Sequence, residues 1–222
     1  MSDVSSRLND VKELLNKALE GAGRAPDACQ LIAVSKNHDA AHVVKTLDAG
    51  HRIFGENRVQ EALDKWPPLK AAYGGVELHL IGGLQTNKAR DAVEFFDVIQ
   101  TLDRMKLARA IKKAMDETGC CPRLYVQVNT GEEEQKGGVA LDELADFLRD
   151  VAALGLHIEG LMCIPPNDEE PSLHFALLHK LAKRHGVEKL SMGMSGDFEV
   201  AAQLGASYVR VGTAIFGARD YA

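Results

Sequence analysis

The sequence lacks any long apolar run. Its first ten residues, MSDVSSRLND, are polar and carry no hydrophobic leader, and no stretch approaches the ~20 consecutive apolar residues of a membrane-spanning helix. A cytoplasmic chain with no membrane contact is expected. Cysteine is scarce as well: Cys29, Cys120, Cys121 and Cys163 form no CxxC pair and no metal-type spacing. Reduced thiols acting as small buried hydrophobes are expected instead of a disulfide frame. Histidine offers no metal site, because the eight are scattered and His174 and His179, five apart, share no helical face. Nor is there an excess of positive charge. Lys and Arg number 26 against 32 Asp and Glu, a net charge of -6, which argues against a surface that tracks nucleic-acid phosphates. No Pro-, Gly- or Ser-rich linker divides the chain, so residues 1–222 are expected to form a single domain.

What is present is an opening amphipathic helix within residues 1–24, with Leu8, Val11, Leu14, Leu15, Ala18 and Leu19 at helical spacing, followed by a regular alternation. Eight β-rich runs (QLIAVSK, RIFGEN, ELHLIGG, VIQTLD, RLYVQVN, HIEGLMCIP, KLSMGMS, YVRVGTAIFG) are separated by helical runs. The second helical run is read as RVQEALDKW, ending before two prolines, and the one after the sixth strand as LHFALLHKLAKRHG. Several helices stop at a glycine: Gly50, Gly119, Gly155, Gly186 and Gly205. The strands are continuous apolar runs rather than alternating ones, as in a parallel sheet covered by helices. A single (β/α)₈ TIM barrel over residues 29–217, with the extra N-terminal helix outside it, is the economical fold. A doubly wound open sheet is the rival, but no G-x-G-x-x-G turn follows the first strand.

In such a barrel the chemistry gathers where strands end and helices begin. Lys36 ends the first strand, Asn57 the second and Ser195 the seventh, while Gly212 and Thr213 end the eighth, so all are expected to converge on one mouth. Each has a plainer use. Lys36 can lay its stem along apolar surface with its ammonium in water. Ser195 can cap the helix GDFEVAAQLG, and Gly212 can merely relieve crowding. The segments after strands seven and eight are nevertheless where barrels build phosphate cups, from backbone N–H groups at the start of a short extra helix. Asp197 nearby would repel an anion unless turned away.

A partly dehydrated amine beside a phosphate cup suits a Schiff base with a phosphorylated aldehyde, since desolvation disfavours the ammonium. Pyridoxal 5′-phosphate fits both ends. Arg210, two residues before Gly212, can point into the same mouth by strand periodicity and face the pyridine nitrogen, where a group that keeps its proton weakens the electron sink. The other reading of Arg210 is an ion pair with an acidic neighbour inside the barrel.

Taken in order, AVSK (33–36), FGENRVQE (54–61), HLIGGLQTNK (79–88), KGG (136–138), GLMCIP (160–165), SMGMSGDFE (191–199) and VRVGTAIFGARDY (209–221) resemble the pyridoxal phosphate homeostasis proteins. These are single-domain relatives of the alanine racemase N-terminal barrel. The resemblance spans nearly the whole chain and implies a fold-type III pyridoxal-phosphate barrel. It implies that Lys36 forms the internal aldimine and that Asn57 lies near the cofactor ring. It further implies phosphate contacts from Ser195, Gly212 and Thr213, and Arg210 facing the pyridine nitrogen. Thr86 or Asn87 could cap the next helix, leaving Gln85 and Lys88 on the third loop. Lys136, in an acidic and solvated loop, is a loose candidate for a secondary amine in cofactor transfer.

Racemases of this fold need a second domain that supplies a tyrosine base, whereas this chain stops at Ala222, just after the last barrel segment; Tyr221 in the tail is at most an imitation of that base. The expectation is therefore a protein with no catalytic residues and no metal, which holds pyridoxal phosphate and supports vitamin B6 and amino-acid balance. Its recipients would be pyridoxal-phosphate-dependent apoenzymes, and its state a monomer or weak homodimer. Two alternatives stay open: a small amino-acid racemase, and a Schiff-base aldolase acting on a sugar phosphate.

Overall fold

In the computed structural model, residues 3–133 and 137–217 are described. Eight parallel strands close into a barrel in chain order: β1 (Gln30–Val34), β2 (Ile53–Glu56), β3 (Glu77–Leu80), β4 (Val98–Leu102), β5 (Arg123–Gln127), β6 (Ile158–Met162), β7 (Lys189–Ser191) and β8 (Tyr208–Val211). The ring is shut by β8 lying beside β1, Ile32 opposite Arg210 and Ala33 opposite Val211. The connecting helices are α2 (Ala40–Asp48), α3 (Val59–Ala72), α4 (Ala89–Phe95), α5 (Met105–Thr118), α6 (Leu144–Ala153), α7 (Pro171–His185) and α8 (Phe198–Gln203), with α9 (Thr213–Phe216) after the last strand. The expected barrel is the observed one.

Strand alternation divides the apolar side chains between two cores. Outward residues such as Ala33, Phe54, Leu78 and Ile99 pack under the helices, while Ile32, Val34, Ile81, Val98, Tyr125, Met162 and Tyr208 fill the barrel interior. The helices present matching stripes; α5 buries Leu107, Ala108, Ile111 and Ala114 and ends at Gly119, whose φ of 72° closes the left-handed cap.

Some boundaries differ from the sequence reading. α3 runs on to Ala72 through Pro67 and Pro68. Proline holds a helical φ, so the loss is two backbone donors, which the burial of Trp66 and Leu69 on either side offsets. α7 starts at Pro171, two residues early, because proline at the first helical position gives up only a donor with no intrahelical acceptor. Among the cysteines, Cys29 and Cys163 are buried, but Cys120 is half-buried and Cys121 exposed.

The N-terminal helix α1 (Val4–Gly21) lies outside the barrel and buries Val4, Leu8, Val11, Leu15, Ala18 and Leu19; Leu14, expected on that stripe, lies beyond its edge and is 39 % exposed. Arg7 Nε donates to the Ile215 carbonyl of α9 at 2.7 Å. Arg24 donates to the carbonyls of Ala202, Ala28 and Ala206. The helix thus braces the segments after β7 and β8. No helix among the described residues is long and apolar enough to cross a membrane.

Candidate functional site

At the carboxyl ends of the strands lies a cavity of about 330 Å³. Lys36, Asn57, Ser195, Arg210, Gly212 and Thr213, the six residues singled out in the sequence, all line it. The sequence reading did not include its apolar walls, Val34, Ile81, Ile164 and Met194, nor His38 at its rim. His38 stacks on Phe216 with ring centroids 5.0 Å apart.

Lys36 does not end a strand. β1 stops at Val34, Ser35 N–H still reaches the Gly55 carbonyl at 3.1 Å, and Lys36 and Asn37 then form a turn closed by His38 N–H donating to the Ser35 carbonyl at 3.2 Å. Asn37 adopts φ 60°, a left-handed conformation that asparagine tolerates better than most residues.

This turn is clamped from outside the barrel. Lys65 of α3, with a side chain 7 % exposed, donates to the Ser35 carbonyl at 2.8 Å, the His38 carbonyl at 3.0 Å and Glu61 Oε1 at 3.1 Å. Glu61 Oε1 in turn accepts the Asn37 N–H. Beneath lies Glu56, wholly buried, whose Oε1 meets Lys65 Nζ at 2.8 Å and accepts from the Ser35 hydroxyl at 2.7 Å and from Trp66 Nε1 at 2.9 Å. Burial raises the pKa of Glu56 and Lys65 opposes that rise. The signals for this clamp were a glutamate inside an apolar strand and a Glu61/Lys65 pair at i, i+4. Nothing in sequence ties either to the Lys36 turn.

Arg210 is 4 % exposed and among the described residues makes no ion pair of the kind weighed for it: Nη1 donates to Ser191 Oγ and Nη2 to the Cys163 carbonyl, each at 2.8 Å. Burial pulls its pKa down, with Cys163 and Asp197 opposing. Asp197 accepts the Met194 N–H on Oδ1 and is not among the residues that line the cavity. Asp197, and not Ser195, is the N-cap residue of α8. Because β7 stops at Ser191, Ser195 stands four residues past it on the loop, where its Oγ accepts from Gly212 N–H at 3.3 Å and stitches together the segments after β7 and β8. Gly212 is crowded, as the plainer reading had it: a β-carbon there would lie 3.2 Å from the Val34 carbonyl oxygen. It also borders the cavity. Thr213 opens the short helix α9, in which the N–H groups of Ile215 and Phe216 donate to the Gly212 carbonyl at 2.9 Å, while those of Thr213 and Ala214 precede any intrahelical acceptor.

Neither Thr86 nor Asn87 caps α4. The two lie in a single 3₁₀ turn (Thr86–Lys88), tighter than the expected α-helical start, and Lys88 is the α4 N-cap residue without a side-chain capping bond. Gln85 and Lys88 instead line a neighbouring hollow of about 430 Å³ that shares Asn57 with the main cavity. Lys136 and Tyr221 lie outside the described residues. Among the described residues no cluster of three His, Cys, Asp or Glu side chains is arranged to hold a metal ion.

The family model described as alanine racemase, N-terminal domain, matches residues 10–220. The pyridoxal phosphate homeostasis protein of Escherichia coli K12 is 37% identical over 231 residues, covering 100% of this chain and 99% of that protein. The protein of the same name from Pseudomonas aeruginosa is 40% identical, covering 100% of this chain and 98% of its own. The solved structure of PipY from Synechococcus elongatus with pyridoxal phosphate bound superposes with a TM-score of 0.83 at 35% identity, over 97% of this chain and 100% of PipY. Alanine racemase of Clostridium difficile, at 13% identity and TM-score 0.70, shares the fold over 93% of this chain and 56% of its own length. By sequence along its whole length and by the barrel it forms, the chain belongs to the pyridoxal phosphate homeostasis protein family.

Proposed function

We propose that this chain binds pyridoxal 5′-phosphate in the cavity at the barrel mouth and holds it through Lys36 as a reserve for other proteins. The observation that carries the reading is the donor set of that one cavity: an amine, a buried guanidinium held by a serine hydroxyl and a backbone carbonyl, and a hydroxyl-and-amide rim at the start of α9. These residues suit the cofactor, which supplies an aldehyde reactive toward primary amines together with a phosphate dianion. Lys36 would capture the aldehyde, and Lys65 and Glu61 fix the turn that places this residue on the cavity wall. Thr213, Gly212 and Ser195 would hold the phosphate, Asn57 would flank the ring, and Arg210 would donate to the ring nitrogen. Val34, Ile81, Ile164 and Met194 would exclude water from the ring faces.

The names of the relatives support a homeostatic role in place of turnover, and we infer that the protein acts as a carrier in the cytoplasm, releasing cofactor to recipient apoenzymes. Purified protein given pyridoxal phosphate should turn yellow, and borohydride should fix one pyridoxyl group on Lys36 and none on Lys36→Ala. A colourless protein that ignores the cofactor, or one trapped only by a phosphorylated keto sugar, overturns the binding reading. Steady multiple turnovers with single-enantiomer amino acids, lost on Lys36→Ala, overturn the carrier reading.

A further inference from the structure

A second series of polar groups runs through the barrel interior and touches the cavity only at Arg210. Arg210 Nη1 donates to Ser191 Oγ at 2.8 Å, and the Ser191 hydroxyl to Gln100 Oε1 at 2.6 Å. Gln100 Nε2 stands 2.8 Å from His79 Nδ1, and His79 Nε2 2.6 Å from Glu77 Oε1. The other oxygen of Glu77 pairs with Arg123 Nη2 at 2.7 Å. Ser191, Gln100 and His79 are each 0% exposed. The series begins on β8 at the mouth, crosses β7, β4 and β3, and ends where Glu77 and Arg123 open β3 and β5 at the opposite end of the barrel.

The proton positions along it are dictated one by the next. Glu77 takes an N–H from His79 Nε2, which leaves Nδ1 of the neutral ring as an acceptor. Only the NH₂ side of the Gln100 amide can then face the ring, so Oε1 faces Ser191. The serine proton must go to that oxygen, and Ser191 Oγ is left to accept from Arg210. Every hydrogen bond therefore points from the buried cation toward the carboxylate. Aligned bonds in a low-dielectric interior polarise one another, and here they link Arg210 to the Glu77 carboxylate at the far end of the barrel.

We propose that Ser191, Gln100, His79 and Glu77 are positioning residues that set the aim and donor strength of Arg210 toward the ring nitrogen of the bound cofactor. The proposal rests on the reading of the cavity given above. Two of the five guanidinium donors are committed to Ser191 and Cys163, which orients the rest.

The test uses the full chain loaded with pyridoxal phosphate and reads the ratio of its visible to near-ultraviolet absorption bands at one pH. Ser191→Ala and Gln100→Leu should each change that ratio by about threefold or more, the lower end of coupling within one hydrogen-bonded network. Glu77→Gln should change it in the wild-type background and have no further effect once Gln100→Leu has cut the series. Borohydride labelling of Lys36 and near-ultraviolet circular dichroism identify which variants are folded and loaded. Should Gln100→Leu not fold, Ser191→Ala, which removes a single hydroxyl, decides alone. Folded, loaded variants with the wild-type ratio overturn the proposal while leaving the cavity reading intact, as does a Glu77→Gln effect of equal size with and without Gln100. A wild-type protein that gains no visible band overturns both.

Discussion

At Gly160 the ring of Tyr125 crosses the barrel so closely that a β-carbon would lie 2.1 Å from Tyr125 Cε1 and 2.7 Å from the Lys189 carbonyl oxygen. The ring is wedged in the interior core and the carbonyl belongs to the next strand, so neither can yield cheaply. Gly160→Ala should cost about 1–3 kcal/mol, the usual penalty of overpacking. Urea denaturation checks it, and an unchanged midpoint would show that the ring has room to move. Gly82 makes a similar demand at the mouth, where a β-carbon would fall 2.3 Å from the carbonyl oxygen of Asn57. Gly82→Ala should push Asn57 off the cavity wall. The expected result is a weaker affinity for pyridoxal phosphate, about tenfold for a loss of ~1.4 kcal/mol, in a protein that still folds. Titration followed by absorbance tests this, and an affinity equal to wild type would remove Asn57 from the ligand's surroundings.

At the scale of elements, α3 is the part that fixes the Lys36 turn, through Lys65 at both of its ends and Glu61 at its centre. Lys65→Met removes a cation from beside the buried Glu56 and should destabilise the protein by about 3–5 kcal/mol, as breaking a buried pair does. Adding Glu56→Gln should return a good part of that loss, because an uncharged amide does not demand the missing ammonium. Denaturation of the two single variants and the double variant forms the cycle, and strict additivity would mean that the pair is not coupled. The strands and helices themselves were legible in sequence because a covered parallel sheet writes its strands as apolar runs, and Gly119 and Gly186 mark helix ends. The clamp was not legible, since Glu56, Glu61 and Lys65 each look like ordinary residues of their own segments until α3 packs over the turn. The extension of α3 through Pro67 and Pro68 was hidden for a related reason: tertiary burial of Trp66 and Leu69 decides a case that local preference leaves against the helix.

On the scale of the whole molecule, barrel closure brings together residues from opposite ends of the chain, Lys36 with Arg210 and Thr213, and the rule that strand ends share one mouth was enough to group them in advance. The interior polar series was not foreseen, because His79 and Gln100 sit in runs that look uniformly buried. Closure also buries histidines in neutral form, which makes stability depend on pH. His51, 7 % exposed, has Nε2 2.8 Å from the Ile53 carbonyl oxygen. Desolvation, then the nearby Lys12 charge, pull its pKa from the ordinary 6.5 to about 4. Burial lowers that of His79 as well. For Glu77 burial acts in the raising direction, but the His79 hydrogen bond and the Arg123 guanidinium prevail and hold it at about 2. Between pH 6.5 and 4 the unfolded chain binds a proton at His51 that the folded chain refuses, so stability falls as the solution is acidified through that window. The contribution of Glu77 is present in full above its unfolded pKa of 4.5 and is lost progressively as pH falls from there through about 2, so the first acid loss belongs to the histidines. By pH 5, His51 alone should remove about 2 kcal/mol relative to pH 7 or above. His51→Gln should flatten the dependence of the urea midpoint on pH by that amount whatever it does to the midpoint at pH 7, and a variant with the wild-type slope would show that His51 is protonated in the folded barrel.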